Sequence, residues 1–410
     1  MTPSNAPDTR PEPWVLVCGG FHREGGMDRA NAELAACLAD GGHPVHLVGY
    51  RVEAELAAHP GVQVHRAAKA AGSFFLAQRA LDRMGRAVAA AVCAATPGAR
   101  VLVNGVNCDW PDINWVHYVH RAASALPAGA PRWFRLKHGI EDHFNARREG
   151  RLIQRARIVL ANSNRTRHDL IERAGVAPDR VRTVYLGCEA VRAATPARRA
   201  AARAWLDLPG DRPVVAFVGA LGHDRRKGFD TLWRAWRALC GEPSWDGILV
   251  VAGGGRGLAA WRGEVTRAGL EQRVRMIGFT LRVDDLLAAA DLLVSPVRYE
   301  SYGLNVHEAL CRGVPAIVSA AAGIAERYPP ELGELLLPDP DDARDLAARI
   351  KRWRGEIAAT RERVAPLAAR LSAWSWRAMA MRIVAEVHGA PDAAGTIGAG
   401  GAISFDESAR

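Results

Sequence analysis

Short apolar runs recur along the chain, and each is followed by a stretch of helical periodicity. Trp14 to Cys18 and Val45 to Val48 read as buried strands, and a helix from about Met27 to Asp40 lies between them, ended by Gly41-Gly42. Val101–Val103 and the run after Arg157 continue the array. A second array begins at Val214: a strand to Val218, a helix from about Gly228, and strands at Ile248, Val274–Thr280, Leu292–Val294 and Ala316–Val318. Strands this short and this uniformly apolar belong in parallel sheets covered on both faces, built from right-handed strand–helix–strand units. The polar, alanine-rich stretch Ala190–Ala202 separates the arrays. The expected fold is α/β, with two doubly wound Rossmann-like domains facing across a cleft. The division is 1–192, then 193–372, a last helix over 373–388 and a tail over 389–410.

Other segments add detail. Ser73 to Val92 places Phe74, Phe75, Leu81, Met84, Val88 and Val92 at helical spacing, with Arg79, Arg83 and Arg86 on another face. That describes a helix with one packed stripe, and its basic face also suits contact with an anionic membrane. Arg132 to Arg157 is basic and mostly helical, with a loop expected at His138-Gly139 near the cleft. Helices are expected over 341–353 and about 357–388, and residues 1–12 read as an arm.

The composition narrows the class. Apolar residues make up 49% of the 410-residue chain, ample for packed cores. No apolar run reaches the roughly 18 residues a membrane helix requires. The N-terminus lacks an apolar signal core, and seven scattered cysteines include no C-x-x-C pair, so the expectation is a cytoplasmic protein with reduced thiols, either free or peripheral on the inner face of the membrane. The net charge of +10 is dispersed arginine rather than an aromatic-interleaved patch, which argues against nucleic acid. It suits an anionic substrate.

Chemistry concentrates in Ala290–Ser319. Glu300 precedes a helix that starts near Gly303, and Glu308 lies within it, seven residues further on. Gly303 lets a ligand approach the backbone, and the free amides of the first helical turn form an anion site. Carboxylates accept hydrogen bonds from hydroxyls rather than bind phosphate. A phosphate group flanked by polyols on both sides describes a nucleotide-sugar. Acids are also common at helix starts for dipole reasons alone. Arg225, Arg226 and Lys227 crowd another helix start, at Gly228, which an intervening anion such as pyrophosphate would reconcile. Lys227 is one of only four lysines. The turn after the first strand is glycine-rich but has no clean G-x-G-x-x-G, and Gly49-Tyr50 stand where a ribose-binding acid would close the second strand. A nicotinamide cofactor is therefore disfavoured. His117 and His120 lack further ligands for a metal. G-x-G-x-G at Gly253–Gly257 reads as a turn, and Asp284-Asp285 as acids at a helix start.

The wording ESYGLNVHEALCRGVP resembles the E-x7-E signature of retaining family 4 glycosyltransferases, with matches at Glu300, Gly303, Leu304, Glu308, Ala309, Gly313 and Pro315. Tyr302 stands where the family usually has Phe. The opening turn, the pattern at Gly219 and Lys227-Gly228, and AAGIAE at Ala321–Glu326 are similar to the same family. Ala220 departs from it, standing where an arginine often contacts phosphate, and Arg225 or Arg226 is left to substitute. The resemblance implies the GT-B fold, with the final helix returning to the N-terminal domain. It implies transfer of a sugar from a nucleotide diphosphate sugar to an acceptor, a glycan, lipid-linked glycan or small natural product, without metal or other cofactor. The donor site would comprise Gly25 and Gly26 in the first turn, facing the donor phosphate or the acceptor; Gly219 in the loop that carries Lys227; Phe279 and Thr280 near the base; Tyr302, Gly303 and Leu304 at the helix start; and Glu308 at the ribose. Glu300 and His117 would act at the reacting sugar, and Lys227 would stabilise the departing diphosphate. A nucleotide-sugar epimerase or hydrolase of the same architecture is the alternative, and a nicotinamide oxidoreductase a more distant one.

Overall fold

A computed structural model describes residues 11–69, 74–122, 132–189 and 193–389. Two parallel sheets organise it. The first contains β1 (Trp14–Val17), β2 (Val45–Gly49), β3 (Val62–Arg66), β4 (Arg100–Asn104), β5 (Ile113–Val116), β6 (Ile158–Ala161) and β7 (Val181–Thr183), in the spatial order 3-2-1-4-5-6-7. The second contains β8 (Val214–Val218), β9 (Ile248–Ala252), β10 (Val274–Gly278), β11 (Leu292–Ser295), β12 (Ala316–Ser319) and β13 (Leu336–Leu337), in the order 10-9-8-11-12-13. Every pairing within these two sheets is parallel. Both orders reverse beside their first strand, and that reversal opens a crevice at the carboxyl ends where ligands bind in such sheets. The expected α/β architecture of two Rossmann-like units is what forms.

The strands sit where they do because they are apolar on both faces. β1, β6 and β11 are buried throughout, which only a sheet covered on two sides permits. Helices supply the cover through one apolar stripe each. Phe229–Cys240, for example, buries Phe229, Leu232, Trp233, Trp236 and Leu239.

The two crossings between the units run side by side. Cys188 and Ser375 form an isolated parallel bridge, and the Cys188 amide donates to the Trp374 carbonyl at 3.1 Å. Helix Trp376–Gly389 then packs on helix Gly26–Asp40 of the first unit. Trp376 is buried there, and the Trp374 indole donates to the Tyr185 carbonyl at 3.0 Å. The returning helix is therefore held at both its root and its length.

Three local expectations differ from the structure. Helix Arg132–Arg155 runs straight through His138-Gly139, so no loop forms there; a single glycine costs a 24-residue helix only about 1 kcal/mol. The stretch around 190–202 is not all linker. Thr195 caps a helix from Pro196 to Trp205, with proline at its tolerated first position. The stretch expected as one helix over 357–388 is two, Ile357–Ser372 and Trp376–Gly389, because the chain must turn at the crossing. The N-terminal arm to residue 10 and the tail from 390 lie outside the described residues.

Candidate active site

The loop Pro296–Tyr302 leaves β11 and enters the first unit. Tyr299 is buried and its hydroxyl accepts from the Val119 amide at 3.2 Å. The Ser301 hydroxyl donates to the His117 carbonyl at 2.5 Å, and the Ser301 carbonyl accepts from the Ser163 hydroxyl at 2.6 Å. Ser163 also caps its own helix, accepting from the Thr166 amide. Tyr299 and Ser301 of this loop thus find their partners on the opposite unit, and Glu300 is held between them.

Glu300 meets Lys227. Its carboxylate pairs directly with the Lys227 ammonium, and both side chains are about four-fifths buried at 23% and 20% exposure. An ammonium has three donors, so this contact engages one of them and leaves two for other acceptors. Lys227 is placed by Gly228, which adopts φ +71° ahead of helix Phe229–Cys240. A Cβ at Gly228 would lie 1.8 Å from the Pro296 carbonyl oxygen, so only glycine fits. Gly219 lies against Lys227, with an added Cβ falling 3.3 Å from the Lys227 Cβ.

Arg298 braces the loop. Its guanidinium grips Asp230 at 2.9 Å through both nitrogens, contacts Asp341 at 2.5 Å, and donates to the Arg225 carbonyl at 2.5 Å. Its own amide donates to the Arg226 carbonyl at 2.9 Å. Arg225 is exposed, with φ +50°, and lies 3.9 Å from Asp230. Arg226 turns the other way and stacks 5.1 Å above the Tyr118 ring, next to His117.

Helix Leu304–Cys311 opens at Gly303, whose φ of +111° only glycine adopts readily. The Asn305 side chain donates to the Val218 carbonyl at 2.9 Å, seating this helix start against the end of β8. Leu304 faces the first unit: a Cβ at Gly26 would lie 3.6 Å from its Cδ2. Gly25, with φ +95°, precedes helix Gly26–Asp40 with open space beside it. The glycine turn of one unit therefore confronts the helix start of the other.

Glu308, one turn further, is 15% exposed and accepts from Arg29 Nη1 at 2.6 Å; Arg29 Nη2 reaches Glu189 at 2.7 Å. Burial pushes the Glu308 carboxyl above the usual carboxylate range, against the pull of Arg29. Arg29 is the main residue that sequence reasoning missed. Its signal was there: a cation in the first turn of a helix opposes the dipole and calls for an acid nearby.

His117 is buried against the Trp115 ring at 4.3 Å, and burial pulls its imidazole down to about 3, so it is neutral. Its Nε2 has no hydrogen-bond partner among the described residues. Phe279 is exposed beyond the end of β10 at Gly278, and the Thr280 hydroxyl accepts from the Arg282 amide at 3.0 Å. Tyr302 departs from its expected place: it is buried in the core, and its hydroxyl shares a 2.9 Å hydrogen bond with His307 Nδ1. An aromatic ring wholly enclosed by protein lines no open cleft, so Tyr302 props the helix start rather than meeting a ligand.

Two family models match the chain: one described as glycosyltransferase family 4 over residues 24–192, and one described as glycosyl transferases group 1 over residues 212–354. The chain belongs to the family 4, group 1 glycosyltransferases. Among curated proteins, D-inositol 3-phosphate glycosyltransferase from Streptosporangium roseum is 33% identical over 250 residues, 57% of this chain and 55% of that one. Its namesake in Mycobacterium tuberculosis is 34% identical over 183 residues, 43% and 36% of the two chains. The match thus spans about half the length, or less, of these relatives. Sucrose-phosphate synthase from Thermosynechococcus elongatus superposes with a TM-score of 0.73 at 22% identity, covering 92% of this chain and 98% of that one. Anabaena HepE, solved with UDP-glucose, gives 0.67 at 19% identity over 91% and 99%. These two place this family 4 member in the GT-B fold.

Proposed function

We propose that this protein transfers a sugar from a nucleoside diphosphate sugar to a hydroxyl acceptor, with retention at the anomeric carbon and without a catalytic metal. The observation that carries the reading is the Lys227–Glu300 pair, set beside the helix start at Gly303. In this reading the diphosphate takes the two free Lys227 donors and the amides after Gly303, which together supply the charge a divalent ion would bring. Glu300 accepts from hydroxyls of the donor sugar. The second oxygen of Glu308 accepts from the ribose while its first holds Arg29. Neutral His117, whose Nε2 lies buried without a hydrogen-bond partner among the described residues, is assigned to the sugar. Phe279 and Thr280 form the rim for the base.

The bond from the anomeric carbon to the acceptor oxygen forms on the same face from which the diphosphate departs with its electron pair. The leaving phosphate oxygen takes the acceptor proton, so no protein nucleophile is required. Catalysis is then positional and electrostatic. HepE bound to UDP-glucose supports a nucleotide-sugar donor for this fold. The acceptor approaches from the first unit, past Gly25 and Gly26. The division into an acceptor domain to residue 192 and a donor domain over 193–372 follows from this placement.

No helix among the described residues is long and apolar enough to cross a membrane. Leu76, Leu136, Ile140 and Phe144 are nonetheless exposed on helices of the first unit that also bear arginines. That combination suits shallow contact with an anionic membrane surface on the cytoplasmic side, and the seven unpaired cysteines suit a reducing compartment. A thermal-shift series with UDP, GDP, ADP and their sugars tests the donor reading. One base should raise the melting temperature over the others; no response to any of them would contradict it.

A further inference from the structure

Three donor atoms that the transfer chemistry does not use converge in the core. Cys188 comes from the first crossing between the units, and His307 and Cys311 from consecutive turns of helix Leu304–Cys311. One potential ligand atom from each lies within 4.8 Å of the other two. All three are enclosed, at 2%, 0% and 4% exposure in that order. The sulfurs are 3.2 Å apart.

The histidine is the telling member. Its Nδ1 is engaged by the Tyr302 hydroxyl at 2.9 Å, while its Nε2 is buried with no hydrogen-bond partner among the described residues. A wholly buried imidazole nitrogen without a partner is rare and calls for an explanation. An outer hydrogen bond that fixes one ring nitrogen and leaves the other free is the arrangement metal-binding histidines adopt. Two cysteines and a histidine, the histidine and one cysteine at i and i+4 on a helix, are a donor set for a thiophilic ion.

We propose that Cys188, His307 and Cys311 bind one thiophilic divalent ion of the zinc(II) class, a structural centre separate from the sugar-transfer site. Burial selects the charge: two thiolates, having released their protons to solvent, and a neutral imidazole around a dication make a neutral complex. Zinc with two thiolate bonds of about 2.3 Å holds its sulfurs about 3.8 Å apart, so the thiols separate by roughly 0.6 Å on binding. Ser372, whose hydroxyl lies 3.4 Å from the Cys311 carbonyl oxygen, stands by to supply or orient a fourth ligand. The ion ties the crossing that bridges to Ser375 to the helix that carries Glu308. It thereby fixes that crossing relative to Glu308.

The experiment uses the full chain without an affinity tag, stripped of metal and reduced. Titration with cadmium(II) is expected to give a thiolate-to-metal charge-transfer band with an end point at one equivalent, and zinc(II) to compete it away. Cys188→Ser and Cys311→Ser should each abolish the band, His307→Gln should weaken binding by about 10-fold or more, and Cys93→Ser should leave it unchanged. Because a serine in this core could prevent folding, the wild-type protein supplies a second reading. Zinc(II) should raise its melting temperature and shield Cys188 and Cys311, but not Cys93, from alkylation on mild heating, as mapped on peptides. No end point at one equivalent, a band that persists in Cys311→Ser, or a Cys188–Cys311 disulfide in the protein as purified would overturn the proposal.

Discussion

Arg29 donates to Glu308 at 2.6 Å, joining the first helix of one unit to helix Leu304–Cys311 of the other. The same guanidinium holds Glu189 at the crossing. A single cation thus links the glycine turn, the crossing and the carboxylate assigned to the ribose. Removing it strands a carboxylate that is 15% exposed. Arg29→Ala should lower stability by about 1–3 kcal/mol, less than a fully buried pair because some solvent reaches it. It should also raise the KM for the donor more than it lowers kcat. Chemical denaturation and steady-state kinetics check both, and an unchanged KM would detach Glu308 from the ribose.

His117 gives a pH signature. Its folded pKa of about 3 lies below the unfolded value near 6.5, so the folded state resists its protonation. The sign follows from linkage. This contribution to stability is complete above pH 6.5 and is lost as pH falls from there toward 3. His117→Gln should flatten that slope. In the rate profile, His117 should produce no inflection near pH 6.5, since it stays neutral through the working range. An inflection there that vanishes in His117→Gln would show it titrating during catalysis.

Two glycines with similar backbone angles separate strain from collision. Gly228 has φ +71° and an added Cβ would fall 1.8 Å from the Pro296 carbonyl oxygen; Gly98 has φ +96° and nothing within 4 Å. Gly98→Ala should cost about 1–2 kcal/mol from backbone strain alone. Gly228→Ala must also displace the loop that carries Lys227, and about 3 kcal/mol or more is expected, with loss of activity. Melting temperatures of the two variants settle the comparison.

Either Arg225 or Arg226 is available in sequence to replace the phosphate contact missing at Ala220. Their side chains diverge: Arg226 stacks on Tyr118 of the first unit, while Arg225 is exposed beside Asp230. Arg226→Ala should weaken donor binding by about 10-fold, in line with one charge-assisted hydrogen bond. Arg225→Ala should change it by less than about 3-fold. Arg298→Ala, which frees the Arg225 carbonyl and Asp230, should disturb the loop more than either. Equal, unchanged affinities in the first two variants would leave the diphosphate without an arginine partner.

Much of this architecture was legible because its signals are local. Strand runs such as Val214–Val218, the glycines at helix starts, and the spacing of Glu300 and Glu308 are each readable within about ten residues. What escaped are partnerships between residues far apart in the chain. Arg29 with Glu308, Ser163 with Ser301 and Cys188 with Cys311 are separated by 279, 138 and 123 positions. No periodicity connects such pairs; only the docking of the two units does. Tyr302 shows the converse limit. It lies inside the signature, yet its neighbour His307 draws it into the core, and only three-dimensional packing reveals which side of the helix start it takes. His138-Gly139 misled for a related reason, since a glycine in a long helix is tolerated when the rest of the helix is well supported.

The most direct measurement is calorimetric binding of UDP, GDP and ADP to the wild-type protein and to Lys227→Ala, with circular dichroism to confirm that the variant folds. One diphosphate should bind the wild type at a single site, without added divalent ion, and Lys227→Ala should bind it at least about 10-fold more weakly, the loss of one charge-assisted contact. Binding of none of the three, or equal binding by the wild type and Lys227→Ala, would contradict a sugar diphosphate seated between Lys227 and the helix that opens at Gly303.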